Sequence, residues 1–366
     1  MHIGINAHLL SLSQGYRNAG VGRYIYYVLR ALAAREDGAR YTVFCHDAPP
    51  PGDPARSPHV RFAVSRLDTR EPSRRILYEQ AVLPWLLPGR VDLLHAPVNV
   101  APLLAAVPVV VTIHDLTFET NPEWFSRARR TAFRAQARHA ARTAARILTD
   151  SERIRTEVVA VYGVGPERVL VAPFAVDPLF THPPDVDAAE RLRNSLRITQ
   201  PYVVALGGAP RRRLDVALEA WRQVRAAGIE VSLVTVGPEV LPAEPALVTA
   251  GRLDDDEWSL LLAGAAAFCY PTQYEGFGMP AVEAAASGAP VVCAPVGSLP
   301  EVLGEAAEWC QSPSPDAIAA GLLRLLTEAG RARQLRDAGM RRVRDAPGWE
   351  YSAAMTLRAY REALNG

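Results

Sequence analysis

Residues 270–288 read YPTQYEGFGMPAVEAAASG. The stretch begins at the end of a short apolar run, AAFCYP, which reads as a strand. The segment TQYEGFG then shows no apolar periodicity and holds two glycines, so it reads as a loop. MPAVEAAASG reads as a helix, with Pro280 in its first turn and Gly288 as its stop. A strand, a polar loop and a helix in that order make one βα unit. Glu275 on the loop and Glu283 one turn inside the helix bracket its polar end.

The same alternation runs along the whole chain. Candidate strands fall at 3–7, 41–46, 60–65, 91–95, 109–114, 146–150 and 169–173, and a second series at 202–207, 231–237, 247–251, 267–271, 291–295 and 308–311. Short β-branched runs between longer helical patterns argue for parallel sheets, here as two doubly wound, Rossmann-like halves in tandem. The length of 366 residues fits two domains of roughly 150 residues each. The proline-rich, polar segment VDPLFTHPPDVDAAERLRNSLRITQP, residues 176–201, reads as the linker. The expected division is an N-terminal domain at 1–176, a second domain at 177–346 and a terminal helix at 347–366. On that helix Trp349, Ala353, Leu357, Tyr360 and Leu364 share one face, which needs a partner surface.

The composition narrows the chemistry. A net charge of +1 with 22% charged residues gives no footprint for nucleic acid. The sequence contains no lysine, so all 40 basic side chains are arginines. A Walker-type phosphate loop and a pyridoxal phosphate Schiff base both require lysine, so both fall away, and any phosphate clamp must be arginine. Cys45, Cys269, Cys293 and Cys310 stand singly in apolar runs, without metal or redox spacing, and read as reduced core residues in a cytoplasmic setting. The N-terminus shows no signal-peptide pattern, and the apolar zone VNVAPLLAAVPVVVTI is too short and proline-broken to span a bilayer.

Ligands of open parallel sheets bind beyond the carboxyl ends of the strands. The polar and glycine-rich residues gather there: His95, His114, Asp115, Ser151, 207–213, Gly237 and 275–278. Two such edges facing each other would form one interdomain cleft. The helix beginning near Met279 would aim its N–H groups and positive dipole end at an occupant, and a diphosphate suits that position. Gly276 and Gly278 would admit it without a side chain in the way. The Glu283 carboxylate suits a diol such as a ribose, and Glu275 the hydroxyls of a second sugar. Taken singly, each acid has a plainer reading, Glu283 as a cap of its own helix and Glu275 as a solvated loop acid.

The segment YEGFGMPAVEAAASGAPVVCAPVGSLPEV resembles the Glu-x7-Glu signature of retaining glycosyltransferase family 4, whose members have the GT-B fold. The resemblance extends to EQAVLPWLLPGRVDLLHAP, VVVTIHDLTFETNPEWF, ILTDSERIRTEVVAVYGVGPERVLVAPFAVDPLF and WEYSAAMTLRAYREAL, and so covers essentially the whole chain. It implies a hexosyltransferase, with Glu275 on the donor sugar, Glu283 on the ribose, and Gly207, Gly208, Leu253, Phe277 and Met279 among the nucleotide-sugar contacts. It also places His114 beside the transferred sugar in an orienting role, and the terminal helix back on the first domain. Family members have a Gly-Arg pair after the strand that here reads YVVALGG, and a lysine several residues later. In this chain Gly208 takes the arginine's place, and Arg211 or Arg212 stands near the lysine's; which of Arg211, Arg212 and Arg213 clamps the diphosphate stays open. GYRNAGVGRYIYYVLRAL, with Gly20 and Gly22, lacks the third glycine of the dinucleotide fingerprint. The resemblance makes it the first-domain glycine loop, facing acceptor and phosphates.

The expected function is therefore retaining transfer of a hexose from a nucleoside-diphosphate sugar to a hydroxyl of a glycan, lipid-linked or small-molecule acceptor. GDP-mannose is the first donor to consider, UDP- or TDP-sugars the next. No metal or other cofactor is expected. A sugar-nucleotide epimerase of the same fold and a non-catalytic sugar-nucleotide binder are the alternatives. Arg127, Arg129, Arg130, Arg134, Arg138, Arg142 and Arg146 read as decorating one helix without an acid. That stripe is either a solvated face or a peripheral contact with anionic headgroups of the inner membrane face or with a lipid-phosphate acceptor.

Overall fold

A computed structural model describes residues 1–10 and 20–366. The chain divides into two compact units, Met1–Ala175 with Pro347–Gly366, and Val176–Ala346. Each is built on one parallel sheet.

In the first unit the strands are β1 (His2–Asn6), β2 (Arg40–Cys45), β3 (Val60–Val64), β4 (Leu93–Ala96), β5 (Val109–Ile113), β6 (Arg146–Thr149) and β7 (Val169–Val171). Their spatial order is β3-β2-β1-β4-β5-β6-β7. The second unit holds β8 (Tyr202–Leu206), β9 (Ser232–Val236), β10 (Leu247–Gly251), β11 (Ala267–Tyr270), β12 (Val291–Cys293) and β13 (Ala307–Trp309), in the order β10-β9-β8-β11-β12-β13. All thirteen strands lie where the β-branched runs place them, shifted by a residue or two at their ends. In both sheets the order reverses beside the first strand, between β1 and β4 and between β8 and β11. Loops leaving a reversal point diverge and open a crevice at the carboxyl edge.

Side chains alternate across the second sheet as a strand's two-residue period requires. Tyr202, Val204, Phe268, Tyr270, Val291 and Cys293 bury on one face; Val203, Ala205, Leu233, Ala267, Cys269 and Val292 bury on the other. Each such side chain removed from water contributes about 1.5–3 kcal/mol. The four cysteines are buried and unpaired.

Residues 176–201 do not form a loose tether. Phe180 and Ile198 are buried in the second unit's core, with Leu179, Leu192 and Leu196 packed against it. The prolines shape the path, but the apolar residues between them decide where it lies.

The terminal helix Trp349–Asn365 is part of the first unit. Trp349 stacks on Tyr27 with ring centroids 5.2 Å apart, and the Tyr360 hydroxyl bonds His95 Nδ1 at 2.7 Å. Leu364, expected on the buried face, is instead 36% exposed, in the last turn of the helix.

The arginine-rich helix ends earlier than the sequence suggests, at Arg127–Thr143, and Arg146 opens β6. Several of its arginines already have partners. Arg129 lies over the Phe125 and Phe133 rings, Arg130 donates to the Phe118 carbonyl, and Arg134 pairs with Glu119 at 2.6 Å. Arg146 pairs with Glu362 of the terminal helix. No helix among the described residues is long and apolar enough to cross a membrane.

Candidate functional site

At the reversal point of the second sheet, the loops leaving β8 and β11 meet. The β8 loop passes through Gly207 and Gly208 into a single 3-10 turn, Pro210–Arg212. The Arg211 carbonyl accepts the Gln273 N–H of the β11 loop at 2.9 Å, and Arg211 Nε lies 3.3 Å from Glu275 Oε1. Backbone and side chain of one arginine thus tie the two loops together.

Glu275 is only 6% exposed, so the reading of it as a solvated loop acid does not hold. Its Oε1 accepts the Tyr270 hydroxyl at 2.5 Å and the Thr272 hydroxyl at 3.2 Å, besides Arg211. Burial, followed by the Glu275 charge, raises the Tyr270 pKa well above the usual phenol value, so this hydroxyl stays a donor. Three donors on one oxygen fix the carboxylate's rotation and direct the other oxygen away from them.

The Glu275 backbone is held as well. Its carbonyl accepts the Ser298 N–H at 3.0 Å, and Gly297, with φ of +55°, passes directly beneath it. A Cβ at 297 would fall 2.2 Å from that carbonyl oxygen. The helix Met279–Ala286 follows, with Gly278 at its N-cap in the left-handed region, φ +93°. Its first turn closes on the Gly278 carbonyl, which accepts Ala281 N–H at 2.9 Å, rather than on a side-chain cap. Gly276 and Gly278 are buried, and Phe277 and Met279 half-buried.

Glu283 does not cap its own helix. It is 4% exposed, and its Oε2 accepts the Trp258 indole N–H at 2.8 Å. Trp258 belongs to the helix Asp255–Ala263, which Asp254 and Glu257 begin with a reciprocal capping box. Leu253, just before that box, packs half-buried against the core.

The three arginines of the β8 loop separate. Arg213 turns into the left-handed region, φ +50°, and pairs bidentately with Asp215 in the first turn of its own helix. Arg211 reaches Glu275, and Arg212 Nη1 donates to the Gly207 carbonyl. Arg211 and Arg212 are therefore the cations that stay with the loop.

In the first unit, His114 is 9% exposed. Its Nδ1 lies 2.8 Å from Asp150 Oδ2, and its Nε2 lies 3.1 Å from the Pro97 carbonyl. Both partners are acceptors, so the doubly protonated ring satisfies both. Burial alone would depress its pKa, but the Asp150 charge and hydrogen bond and the Pro97 carbonyl outweigh burial and raise it. The ring packs edge-on to Tyr24 with centroids 4.8 Å apart. Tyr24 stands on the helix Val21–Ala33, whose first turn buries Gly22 and whose N-cap is Gly20. The rest of the glycine loop, residues 15–19, lies outside the described residues. His95 is a core group, bonded to Thr112 and Tyr360, with burial lowering its pKa to about 3.

The geometry thus gathers Glu275, Arg211, Arg212, Gly207, Gly208 and Gly278 at one sheet edge, with Glu283 one helical turn away. Tyr270, Thr272, Trp258 and Asp150 escaped the sequence reading. Tyr270 and Asp150 carried one usable signal, a polar group at the carboxyl end of a strand. No group of three or more metal-ligating side chains occurs among the described residues.

Residues 18–179 match the model described as Glycosyltransferase Family 4, and residues 200–328 the model described as Glycosyl transferases group 1. The chain belongs to this glycosyltransferase family. It is 32% identical over 279 residues to an MMP alpha-(1->4)-mannosyltransferase of Mycolicibacterium hassiacum, a match covering 70% of this chain and 66%, just under two thirds, of that protein. It is 27% identical to O-antigen chain mannosyltransferase B of Escherichia coli, covering 69% of this chain and 70% of that one. Among solved structures, sucrose-phosphate synthase from Thermosynechococcus elongatus superposes with a TM-score of 0.74 at 20% identity, over 100% of this chain and 99% of the other. The last likeness speaks to the fold alone, which is GT-B.

Proposed function

We propose that this glycosyltransferase moves a hexose, with mannose favoured, from a nucleoside-diphosphate sugar to an acceptor hydroxyl with retention of anomeric configuration. The observation that carries this reading is the Glu275 carboxylate, fixed through Oε1 by Tyr270, Thr272 and Arg211 at the mouth of the helix Met279–Ala286. An acid oriented so firmly, beside two arginines and a glycine-opened helix start, suits a sugar hydroxyl next to a diphosphate. Two mannosyltransferases among the relatives support mannose.

In this reading Arg211 and Arg212 neutralise the diphosphate, and the dipole of the helix at Met279 adds to them. Glu275 holds the donor sugar through Oε2, and Glu283, oriented by Trp258, holds the ribose. Leu253 and Phe277 complete the nucleotide contacts. The acceptor is assigned to the first unit, with Gly22 and His114, whose paired ring acts as a fixed positive group that orients the sugar rather than as a base.

The bond from the anomeric carbon to the diphosphate oxygen breaks while the bond to the acceptor oxygen forms on the same face, and the acceptor proton passes to the leaving phosphate. No resident cofactor enters this scheme. An anionic lipid surface is the further contact proposed, at the exposed Arg127 and Arg142; co-sedimentation with phosphatidylglycerol vesicles at low salt tests it.

A thermal-shift screen of GDP-, UDP- and TDP-sugars, followed by NMR of the anomeric product from the best donor, tests the main reading. Stabilisation by one donor and an α-product from an α-donor are expected. Inversion, or a trapped covalent glycosyl-enzyme, would overturn the proposed route.

A further inference from the structure

Between β9 and β10 the chain runs without helix or strand through residues 237–246. Glu239 lies on this segment, and its side chain folds back onto the β8 loop. Its Oε1 accepts the Gly208 N–H. Its Oε2 is buried and has no hydrogen-bond partner. A Cβ on Gly207 would fall 2.2 Å from Oε2, and one on Gly237 would fall 2.4 Å from it. The carboxylate therefore rests against bare backbone at two glycines, where any other residue would collide with it.

The surrounding groups do not suit a carboxylate well. Arg212 Nη1 lies 3.4 Å from the position a Gly208 Cβ would take, yet the guanidinium donates to the Gly207 carbonyl instead. Arg212 Nε is buried and without a partner. One short turn thus holds an N–H already serving an anion, an unserved guanidinium N–H and a carboxylate oxygen with no donor. A buried acceptor or donor left unpaired is costly, so this is a site satisfied in part. A phosphate, with more acceptor oxygens spread tetrahedrally, can serve the Gly208 N–H and the Arg212 guanidinium together.

We infer that Glu239 occupies the anion position of the donor site in the free protein and that the diphosphate of the donor must expel it. This rests on the donor-site reading given above. Two anions cannot share one N–H and one cation at hydrogen-bond range without strong repulsion. The way out is open. Pro238 is exposed, Val240 is 96% exposed, and no regular structure has to break for the segment to swing. Glu239 then sets donor affinity by competing for the site.

The test is calorimetric titration of the whole chain and its E239Q and E239A variants with GDP, UDP and TDP, and with guanosine, uridine and thymidine. The diphosphate that wild type binds best should bind the alanine variant at least about tenfold more tightly, the worth of one charge-assisted hydrogen bond. The glutamine variant, which keeps shape but not charge, should fall between. Nucleoside affinity should not change, since the competition is for the phosphates. Equal or weaker diphosphate binding by both variants overturns the inference, as does a gain shared equally by the nucleosides. Should wild type bind a diphosphate and the variants not improve on it, Glu239 alone loses its role. Should neither wild type nor variants bind any of the three, the donor-site reading fails and Glu239's role fails with it. Melting temperatures within a few degrees of wild type confirm that the variants are folded.

Discussion

Replacing Gly297 by alanine separates the placement of Glu275 from its chemistry, because the substitution leaves every functional side chain intact. The new Cβ would lie 2.2 Å from the Glu275 carbonyl oxygen, 2.7 Å from its nitrogen and 3.0 Å from its carbonyl carbon. These are backbone atoms that no rotamer change can move aside. Ordinary contact begins near 3.4 Å, so the Glu275 turn must retreat by about 1.2 Å, and the bond from Ser298 N–H is stretched or lost. Overpacking of this kind costs about 1–3 kcal/mol, and alanine at φ +55° adds about 1 kcal/mol. Urea denaturation should therefore show a loss of about 2–4 kcal/mol in the unit spanning Val176–Ala346. A shift of about 1 Å at an orienting group costs on the order of a hundredfold in turnover. In a coupled assay of diphosphate release, kcat/KM should fall by about that factor in soluble, folded protein. Wild-type activity together with a stability change under about 0.5 kcal/mol would show that the Glu275 turn does not sit on Gly297 as described.

Trp258→Phe removes the N–H that Glu283 Oε2 accepts while keeping the ring in place; it should cost about 1.5–3 kcal/mol in urea denaturation, and calorimetry should show weaker nucleotide binding. Asp150→Asn leaves the His114 ring in a buried site without its anion, at a cost of about 3–5 kcal/mol. The pH dependence has a definite sign. Because His114's pKa is raised in the fold, its contribution is fully present below the ordinary histidine value of 6.5 and is lost as pH climbs through the raised value. Wild-type stability should therefore decline on that upward side while D150N stays flat there. A chain ending at residue 346 exposes the surface that covers Trp349, Ala353, Leu357 and Tyr360, all buried. At about 1.5–3 kcal/mol for each large side chain, the loss rivals a whole domain's stability, and amide exchange of β4, β5 and β6 should lose its protection.

The strands were legible because each is a short run of β-branched and aromatic residues closed by glycine, proline or a polar residue, and such runs satisfy no helical period. Partners across space were not. Trp258 donates to Glu283 across 25 positions and Asp150 meets His114 across 36; the spacing of these residues along the chain carries no trace of the sheet that brings them together. The segment 176–201 misled through its prolines, which mark turns but say nothing about burial, whereas Phe180 and Ile198 decided its place. The arginine stripe misled by a different route. Its charges looked unanswered because the acid that pairs with Arg134 is Glu119, on the preceding segment, and the one that pairs with Arg146 is Glu362, at the far end of the chain.

The two glutamates illustrate how burial changes the weight of a sequence reading. Around Glu283 the helix buries Ala281, Val282, Ala284, Ala285 and Ala286, so folding alone would favour one more small apolar side chain at that position. An acid there must be stripped of water and met by polar partners, the Trp258 indole N–H among them, a cost that an apolar side chain would not incur. Glu275 is likewise buried, on a turn whose backbone is held separately by Ser298 N–H and by the close approach of Gly297. Each is held in a fixed orientation by neighbours, Tyr270 and Thr272 for one and Trp258 for the other, whose polar groups point to the same sheet edge. Such an arrangement suits a site that receives a ligand rich in hydroxyls, and a sugar nucleotide is one.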